Sequence, residues 1–347
     1  MSETTELRDA VTDVLRGPCT PAALEEAERD GWAPAVWSAL HDGGFATVAV
    51  PESAGGSGGS VAQACAVLEA CGAAAAPVPV AETGLLAGRL LAAAGLSVPD
   101  GPVTTVAAPG LSFDGEVLSG AVSGVPWAVS ASLAVVVDGS AVVVSPGSGV
   151  VTPGRNLAGE PRDHVDLTGV RPTAAAPVSP DAVEELRRRG ALSRAALIAG
   201  AARAVLDLTV RYTGEREQFG RPVSKFPAVA AHLVQIAEQT ELATMAARSA
   251  AAGAGEEGEP AALDVAAAFS VAADAAGLIA TAAHQATGAM GMTREFGLGV
   301  LTRRLWSWRD EWGGGAAWAT ELGHLVAAGG ADAFWPTVSR GLVTAQT

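Results

Sequence analysis

Two runs in this chain combine side chains suited to polyphosphate and nucleobase chemistry. The first lies within Arg211–Pro222, where Arg216 is followed by Gln218, Phe219, Gly220 and Pro222. A guanidinium can clamp a pyrophosphate bidentately, whereas an ammonium acts only as a point charge. Gly220 and Pro222 fix a turn beside it. Arg211 and Glu215 stand four residues apart, as do Glu217 and Arg221. Such helical pairs are worth only about 0.2–0.5 kcal/mol each and explain the charges without any ligand. The second run is Gln285, Gly288, Ala289, Gly291 and Thr293. A primary amide can bond an adenine or a ribose, and glycine lets a backbone approach a ligand closely. With no ligand, the same run is a Gly-rich helix end.

Other groups are less eloquent. Val50–Gly58 has the glycines of a phosphate loop but no lysine, and it suits a tight connector better. Asp310 and Glu311 stand among Trp306, Trp308 and Trp312; the plain expectation for them is ion pairing with Arg303, Arg304 or Arg309. Glu184 and Glu185 suit a helix start. The run Arg187–Arg189 could attract phosphates, but as a solvated charge run it needs no function. His41, His164, His232, His284 and His324 form no metal-ligand spacing, so no metal site is expected. His284, beside Gln285, is expected mainly to pack. Cys19, Cys65 and Cys71 match no zinc pattern and suit buried thiols in a reducing compartment.

The elements that must position these groups change character along the chain. Residues 1–101 are helical with Gly/Pro punctuation: Ala33, Val36, Trp37 and Leu40 recur at helical spacing and stop at Gly43-Gly44, and further helices are expected at 61–75 and 81–94. Residues 102–177 turn to Val, Thr, Ser and Gly. Leu133–Val137 and Ala141–Val144 flank an Asp138-Gly139 turn, which predicts antiparallel strands, and Gly115–Gly120 reads as a turn entering a strand. Residues 178–347 return to helix. Asp181 stands at an N-cap position, Leu197, Ala201, Val205, Leu208 and Tyr212 define one apolar face, and an acidic loop interrupts at 253–260. The fold class is mainly α with a small central β domain: an N-terminal helical domain, a shortened middle β domain and a C-terminal four-helix bundle.

Bulk properties restrict the function. The chain has 347 residues, enough for two or three packed units. It is 49% hydrophobic and 17% charged, which supports a buried core. The net charge of -15 argues against nucleic acid and against anionic lipid. The N-terminus lacks an apolar signal core, and the uncharged run Ala275–Thr293 contains His284, Gln285 and glycines, so it suits a buried helix better than a membrane span. A cytoplasmic location is expected.

Taken in order, the three Gly-containing runs resemble the acyl-CoA dehydrogenase family. Tyr212, Glu215, Arg216, Gln218, Phe219, Gly220 and Pro222 match that family's Tyr–x–x–Glu–Arg–x–Gln–Phe–Gly–x–Pro run. Gln285, Gly288 and Gly291 match its Gln–x–x–Gly–Gly–x–Gly run, with Ala289 in place of the second glycine. Val50-Pro51-Glu52, Gly55-Gly56 and Gly58 match its N-terminal signature. The resemblance implies FAD as cofactor, an acyl-CoA substrate, an electron-transfer flavoprotein as acceptor, and fatty-acid or steroid/polyketide acyl metabolism. It implies that Arg216, Gln218, Phe219, Gln285, Gly288 and Ala289 contact FAD held mainly by a neighbouring subunit, in a homo-oligomer or a hetero-oligomer with a paralogue. Two departures stand out. Phe226-Pro227 replaces the family's Phe–Gln, and only Ala107–Gly110 remains of the middle-domain flavin stretch, with Trp127 near the flavin-side strand.

The family reaction removes an α-proton with a Glu while a hydride passes to the flavin. Counting from Arg304 puts the usual base position at Gly313, and counting back from Tyr212 puts the minority position at Gly190. Glu311 is the nearest remaining carboxylate. Two readings follow: an enzyme using Glu311 or another carboxylate, or the base-lacking subunit type of an actinobacterial heterotetramer, which completes FAD sites. A fold relative with altered chemistry, or only a binding role, is the third.

Overall fold

Small residues set how closely the helices approach. In the computed structural model, which describes residues 2–255 and 258–343, alanine and glycine line the central helix contacts. Glu256 and Glu257 of the acidic loop lie outside the described residues.

The first part is helical: α1 (Glu3–Arg16), α2 (Pro21–Asp30), α3 (Pro34–Asp42), α4 (Val61–Ala73), then a π-helix over Ala81–Gly88 continuing as α5 (Arg89–Ala93). Gly43 ends α3, and Gly44 takes a left-handed φ of 74°. The Gly-rich loop before α4 packs on itself, with a Cβ on Gly56 falling 2.1 Å from the Val50 carbonyl oxygen. Ser60 Oγ accepts from the Gln63 N–H at 3.2 Å, and Gln63 Oε1 accepts from the Ser60 N–H at 2.7 Å, a capping box that satisfies the helix start internally.

Strands follow: β1 (Val103–Thr104), β2 (Leu111–Phe113), β3 (Leu118–Pro126), β4 (Ser132–Val137), β5 (Ser140–Val144), β6 (Val150–Thr152), β7 (Arg162–Asp166) and β8 (Ala174–Pro177). They form two four-stranded sheets, ordered β1-β4-β5-β8 and β2-β3-β7-β6. Asp138 (φ 46°) and Gly139 (φ 75°) make the two-residue turn between β4 and β5, with Val137 paired to Ser140. That is the Asp-Gly hairpin expected from the sequence.

The long α6 (Ala182–Glu215) opens the last part. A two-residue hairpin, β9 (Glu217–Gln218) and β10 (Arg221–Pro222), separates it from α7 (Pro227–Gly253). Then come α8 (Ala262–Thr287), α9 (Leu298–Trp308), α10 (Gly314–Gly329) and α11 (Ala331–Val343). Asp181 occupies the N-cap of α6, but its side chain makes no capping bond. By length and composition Ala262–Met292 could cross a membrane; in the fold most of it is buried in the bundle.

α6 is the central post. Ala195, Ala196, Ala201, Ala202 and Val205 are buried against α4, α7, α8 and α9. Its contact with α4 is backbone to backbone: a Cβ on Gly200 would fall 1.9 Å from the Glu69 carbonyl oxygen, and one on Gly72 2.2 Å from that of Leu197. Neither helix can retreat without opening the core. Gly200→Ala is therefore expected to destabilise the protein by about 1–3 kcal/mol, the usual cost of overpacking. Denaturant unfolding measures it, and an unchanged midpoint would contradict this helix spacing.

Candidate functional site

The two sheets and the bundle leave a cleft of about 680 Å³ between them. Its β wall carries Thr105, Val106, Ala107, Ala108, Gly124 and Pro126. Its helical wall carries Val183, Leu186, Arg187 and Arg194 from α6, with Asp310–Gly313 closing one end. The cleft is largely apolar, and the hydroxyl of Thr105 on its wall is buried without a hydrogen-bond partner. Trp127 does not face it. Placed just after β3 at φ 49°, Trp127 is buried beneath the Arg162 guanidinium, 5.3 Å from its ring centroid, and turns into the interior. Trp127 follows β3 directly, but Gly124 and Pro126 rather than its ring line the cleft there.

Glu311 sits at the cleft end but is not free. Its Oε1 accepts from Arg162 Nη2 at 2.6 Å and Nε at 2.9 Å, and its Oε2 accepts from Arg194 Nε at 2.5 Å. Arg194 Nη2 also reaches Glu82 Oε1 at 2.5 Å. Arg162 Nη2 reaches Glu160 Oε2 at 3.3 Å, and Arg304 Nε lies 3.4 Å from Glu160 Oε1. Trp308 Nε1 and Asn156 Nδ2 donate to Glu160 as well. Burial alone would push the Glu311 carboxyl up, but the Arg162 and Arg194 guanidiniums overcome it and hold the group down at about 2. A carboxylate stabilised to that degree is a poor proton acceptor near neutral pH. Its partners are Arg162 and Arg194, not Arg303, Arg304 or Arg309; Arg303 pairs with Glu28, while Asp310 pairs with Arg309 as expected.

Both glycines at the family's base positions have a structural reason. Gly190 lies on α6 directly beneath the Trp312 indole, where a Cβ would meet the ring at 2.1 Å. Trp312, Gly313 and Gly314 all have positive φ, at 52°, 99° and 72°. This left-handed turn swings the indole back over Gly190, and Trp318 Nε1 fixes it by donating to the Trp312 carbonyl at 2.9 Å. Arg187 lies 3.8 Å above the Trp318 ring and pairs with Glu184. The run Arg187–Arg189 is not a solvated charge face: Arg189 is buried, with Glu185 and Glu259 beside it.

The two sequence runs for cofactor contact lie on the outer surface. Phe219 and Gly220, both at positive φ, form the tip of the hairpin after α6, and Phe219 is 92% exposed. Arg216, Gln218, Gln285, Gly288 and Ala289 are also exposed. Tyr212 and Phe296 meet edge to face at 4.9 Å between ring centroids and tie the end of α6 to the segment that follows α8. Among the described residues, the Arg216, Gln218 and Gln285 side chains have no protein partner, so their donors are available to a ligand. Gly288 has φ 58°, and nothing lies within 4 Å of the place where a Cβ would stand, an open approach for a ligand. His284 points inward to Thr302 Oγ1 at 3.0 Å. This surface fits the outer part of a dinucleotide such as FAD, and the apolar cleft with its unpartnered Thr105 hydroxyl fits a planar ring system.

Sequence reasoning missed Glu82, Glu160, Arg162 and Arg194. The signal was present in part: Glu82 and Arg194 each stand alone in a locally apolar, Ala/Gly-rich stretch, and a lone charge in such a stretch requires a buried partner.

The family model for the acyl-CoA dehydrogenase C-terminal domain matches residues 183–316, and that for the N-terminal domain matches residues 1–96. The chain belongs to the acyl-CoA dehydrogenase family, whose members are FAD-dependent oxidoreductases acting on CH–CH donors. Among its relatives, acyl-CoA dehydrogenase FadE34 of Mycobacterium tuberculosis is 34% identical over 88% of this chain, which spans only 44% of that protein's length. Acyl-CoA dehydrogenase IpdE2 of Mycolicibacterium smegmatis is 31% identical over 66% of this chain and 70% of its own length. Among solved structures, a chain of the ChsE4-ChsE5 complex from Mycobacterium tuberculosis superimposes with a TM-score of 0.82 at 25% identity, covering 94% of this chain and 98% of that one.

Two outcomes test the ionic cluster. Arg194→Met leaves the buried Glu82 without its partner and Glu311 with Arg162 alone, and is expected to lower stability by about 3–5 kcal/mol in denaturant unfolding; a loss below about 1 kcal/mol, as for exposed pairs, would contradict the pairing. Folding lowers the Glu311 pKa from its ordinary 4.5 to about 2, so its contribution is complete above pH 4.5 and is lost as pH falls towards 2. Stability of Glu311→Gln should fall less steeply than wild type across that window; parallel acid limbs would show that Glu311 is not held in this way.

Proposed function

We propose that this chain is the base-lacking, FAD-site-completing subunit of an acyl-CoA dehydrogenase-type hetero-oligomer. The observation that carries the reading is the cleft end. One base position is Gly190, covered by an indole; the other is Gly313; and the neighbouring Glu311 is bound to two arginines. Among the described residues, the other carboxylate at that end, Asp310, is paired with Arg309. The partner would be a paralogue that carries its own carboxylate. The likeness to a chain from the ChsE4-ChsE5 complex supports an assembly of two different chains.

In this reading Arg216, Gln218, Phe219, Gln285, Gly288 and Ala289 hold the outer part of FAD belonging mainly to the neighbouring subunit. The Arg216 guanidinium neutralises and orients the pyrophosphate, the amides of Gln218 and Gln285 bond the nucleotide, and Phe219 covers it. FAD supplies the hydride acceptor for α,β-dehydrogenation of an acyl-CoA, and an electron-transfer flavoprotein takes the electrons onward. The local guanidinium matters because the chain as a whole is acidic and offers a polyanion little general attraction. The unpaired cysteines support a cytoplasmic location.

Expression alone and together with an adjacent family paralogue tests the reading. The chain alone is expected to purify colourless or nearly so, and the co-expressed pair yellow and active in a dye-coupled acyl-CoA assay. A yellow preparation of the single chain that turns over acyl-CoA would refute it. In the co-expressed pair, Arg216→Ala should reduce bound flavin at least severalfold, because a charge-assisted bidentate contact is lost. Equal flavin absorbance per protein in both preparations would remove Arg216 from the site.

A further inference from the structure

We infer that Arg221 is a second cation for the pyrophosphate of the dinucleotide, and that Phe226 is the positioning residue that holds its guanidinium. The inference rests on the cofactor-surface reading above and extends it to the unspecified position of the family's Gly–x–Pro run. The observation behind it is the register of the hairpin after α6.

On a helix, Glu217 and Arg221 would stand four residues apart on one face and pair. The chain instead leaves α6 at Arg216, whose ψ is 121°, and doubles back. Gln218 pairs with Arg221 and Glu217 with Pro222 across the hairpin, and the Val223 N–H donates to the Arg216 carbonyl at 2.8 Å. Directly opposed residues of an antiparallel pair send their side chains to the same side, and the side alternates along each strand. Arg216, Gln218 and Arg221 therefore share one side of the ribbon. Glu217 is turned to the other side with Pro222. The ion pair expected from spacing is absent, and among the described residues no carboxylate pairs with Arg221.

The Arg221 guanidinium is nonetheless held. Its Cζ lies 4.2 Å from the Phe226 ring centroid, and Phe219 at the hairpin tip meets the same ring edge-on at 6.1 Å. Phe226 is itself anchored: it is the N-cap residue of α7, and its N–H donates to the Val223 carbonyl at 3.1 Å. Stacking occupies one face of a planar guanidinium and leaves its N–H edge free to donate. Arg221 stays exposed, so that edge is open to a ligand. A side chain fixed in advance loses less freedom on binding. Each phosphate of a pyrophosphate carries a negative charge, so Arg216 and Arg221 together match it where one guanidinium would leave a charge over. Pro227, in place of the family's Gln, removes one donor from this region, and Arg221 supplies another.

Reconstitution of the flavin-stripped, co-expressed pair with FAD, followed by flavin fluorescence at low and high sodium chloride, tests this. Arg221→Gln should weaken FAD binding by about tenfold at low salt, with a smaller difference at high salt. Phe226→Leu should weaken it by about two- to fivefold, and Phe226→Tyr, which keeps a ring, should not. A platform for Arg221 has no further effect once that charge is gone, so Phe226→Leu should cost nothing more in an Arg221→Gln background. Equal losses with and without Arg221 would reduce Phe226 to a structural residue and overturn its assignment. Unchanged affinity in Arg221→Gln, where Arg216→Ala lowers it, would overturn the second cation alone. Unchanged affinity in both would refute the cofactor surface itself.

Discussion

Glu311 lies between Arg162 and Arg194, and through them three parts of the chain meet at one buried cluster. Glu82 comes from the helices that open the chain, Glu160 and Arg162 from the strand region, and Arg194, Arg304 and Glu311 from the bundle. Three carboxylates face three guanidiniums, so charges removed from water leave no net excess. Burial of so many ions is costly in itself, and hydrophobic side chains of similar volume could be as stable. What the cluster provides is registry: it satisfies its members only when the sheets stand at one angle to α6. That angle defines the cleft. The π-helical stretch over Ala81–Gly88 belongs to the same arrangement, because it carries Glu82 to Arg194.

The cluster also decides what the cleft end can do. A carboxylate within reach of a thioester is useful only if it can accept a proton, and Glu311 is committed to holding two arginines. Gly190 is sealed by Trp312 and Gly313 is bare, so neither base position carries a carboxylate; in the proposed reading the chain contributes a cleft and an outer cofactor surface without a base of its own. Family membership and the absence of a base are compatible if the work is divided between two chains.

Much of the fold was legible in the sequence because its signals are local. Asp138-Gly139 specifies a hairpin turn, Gly43-Gly44 a helix stop, and the spacing of Leu197, Ala201 and Val205 a buried helix face. The proposed cofactor surface is a motif in the sequence, and the structure leaves Arg216, Phe219 and Gln285 exposed. The ionic cluster was not, because its pairs join residues 112, 117 and 149 positions apart, and nothing local chooses Arg162 over Arg304 as a partner for Glu311. The same holds for Arg189, which reads as part of a surface run until Glu259 is brought beside it, and for Trp127, whose positive φ turns it inward. The glycines at 190 and 313 could be counted from the sequence, but only the packing shows that one is covered and the other open.

The central claim is that this chain cannot abstract an α-proton. Incubation of an acyl-CoA with the purified chain in deuterium oxide, with FAD supplied, followed by mass spectrometry of the thioester, measures that step apart from electron transfer. The account predicts no deuterium at the α-carbon above the protein-free control, and exchange in the presence of the base-bearing paralogue. Exchange catalysed by the single chain would contradict it.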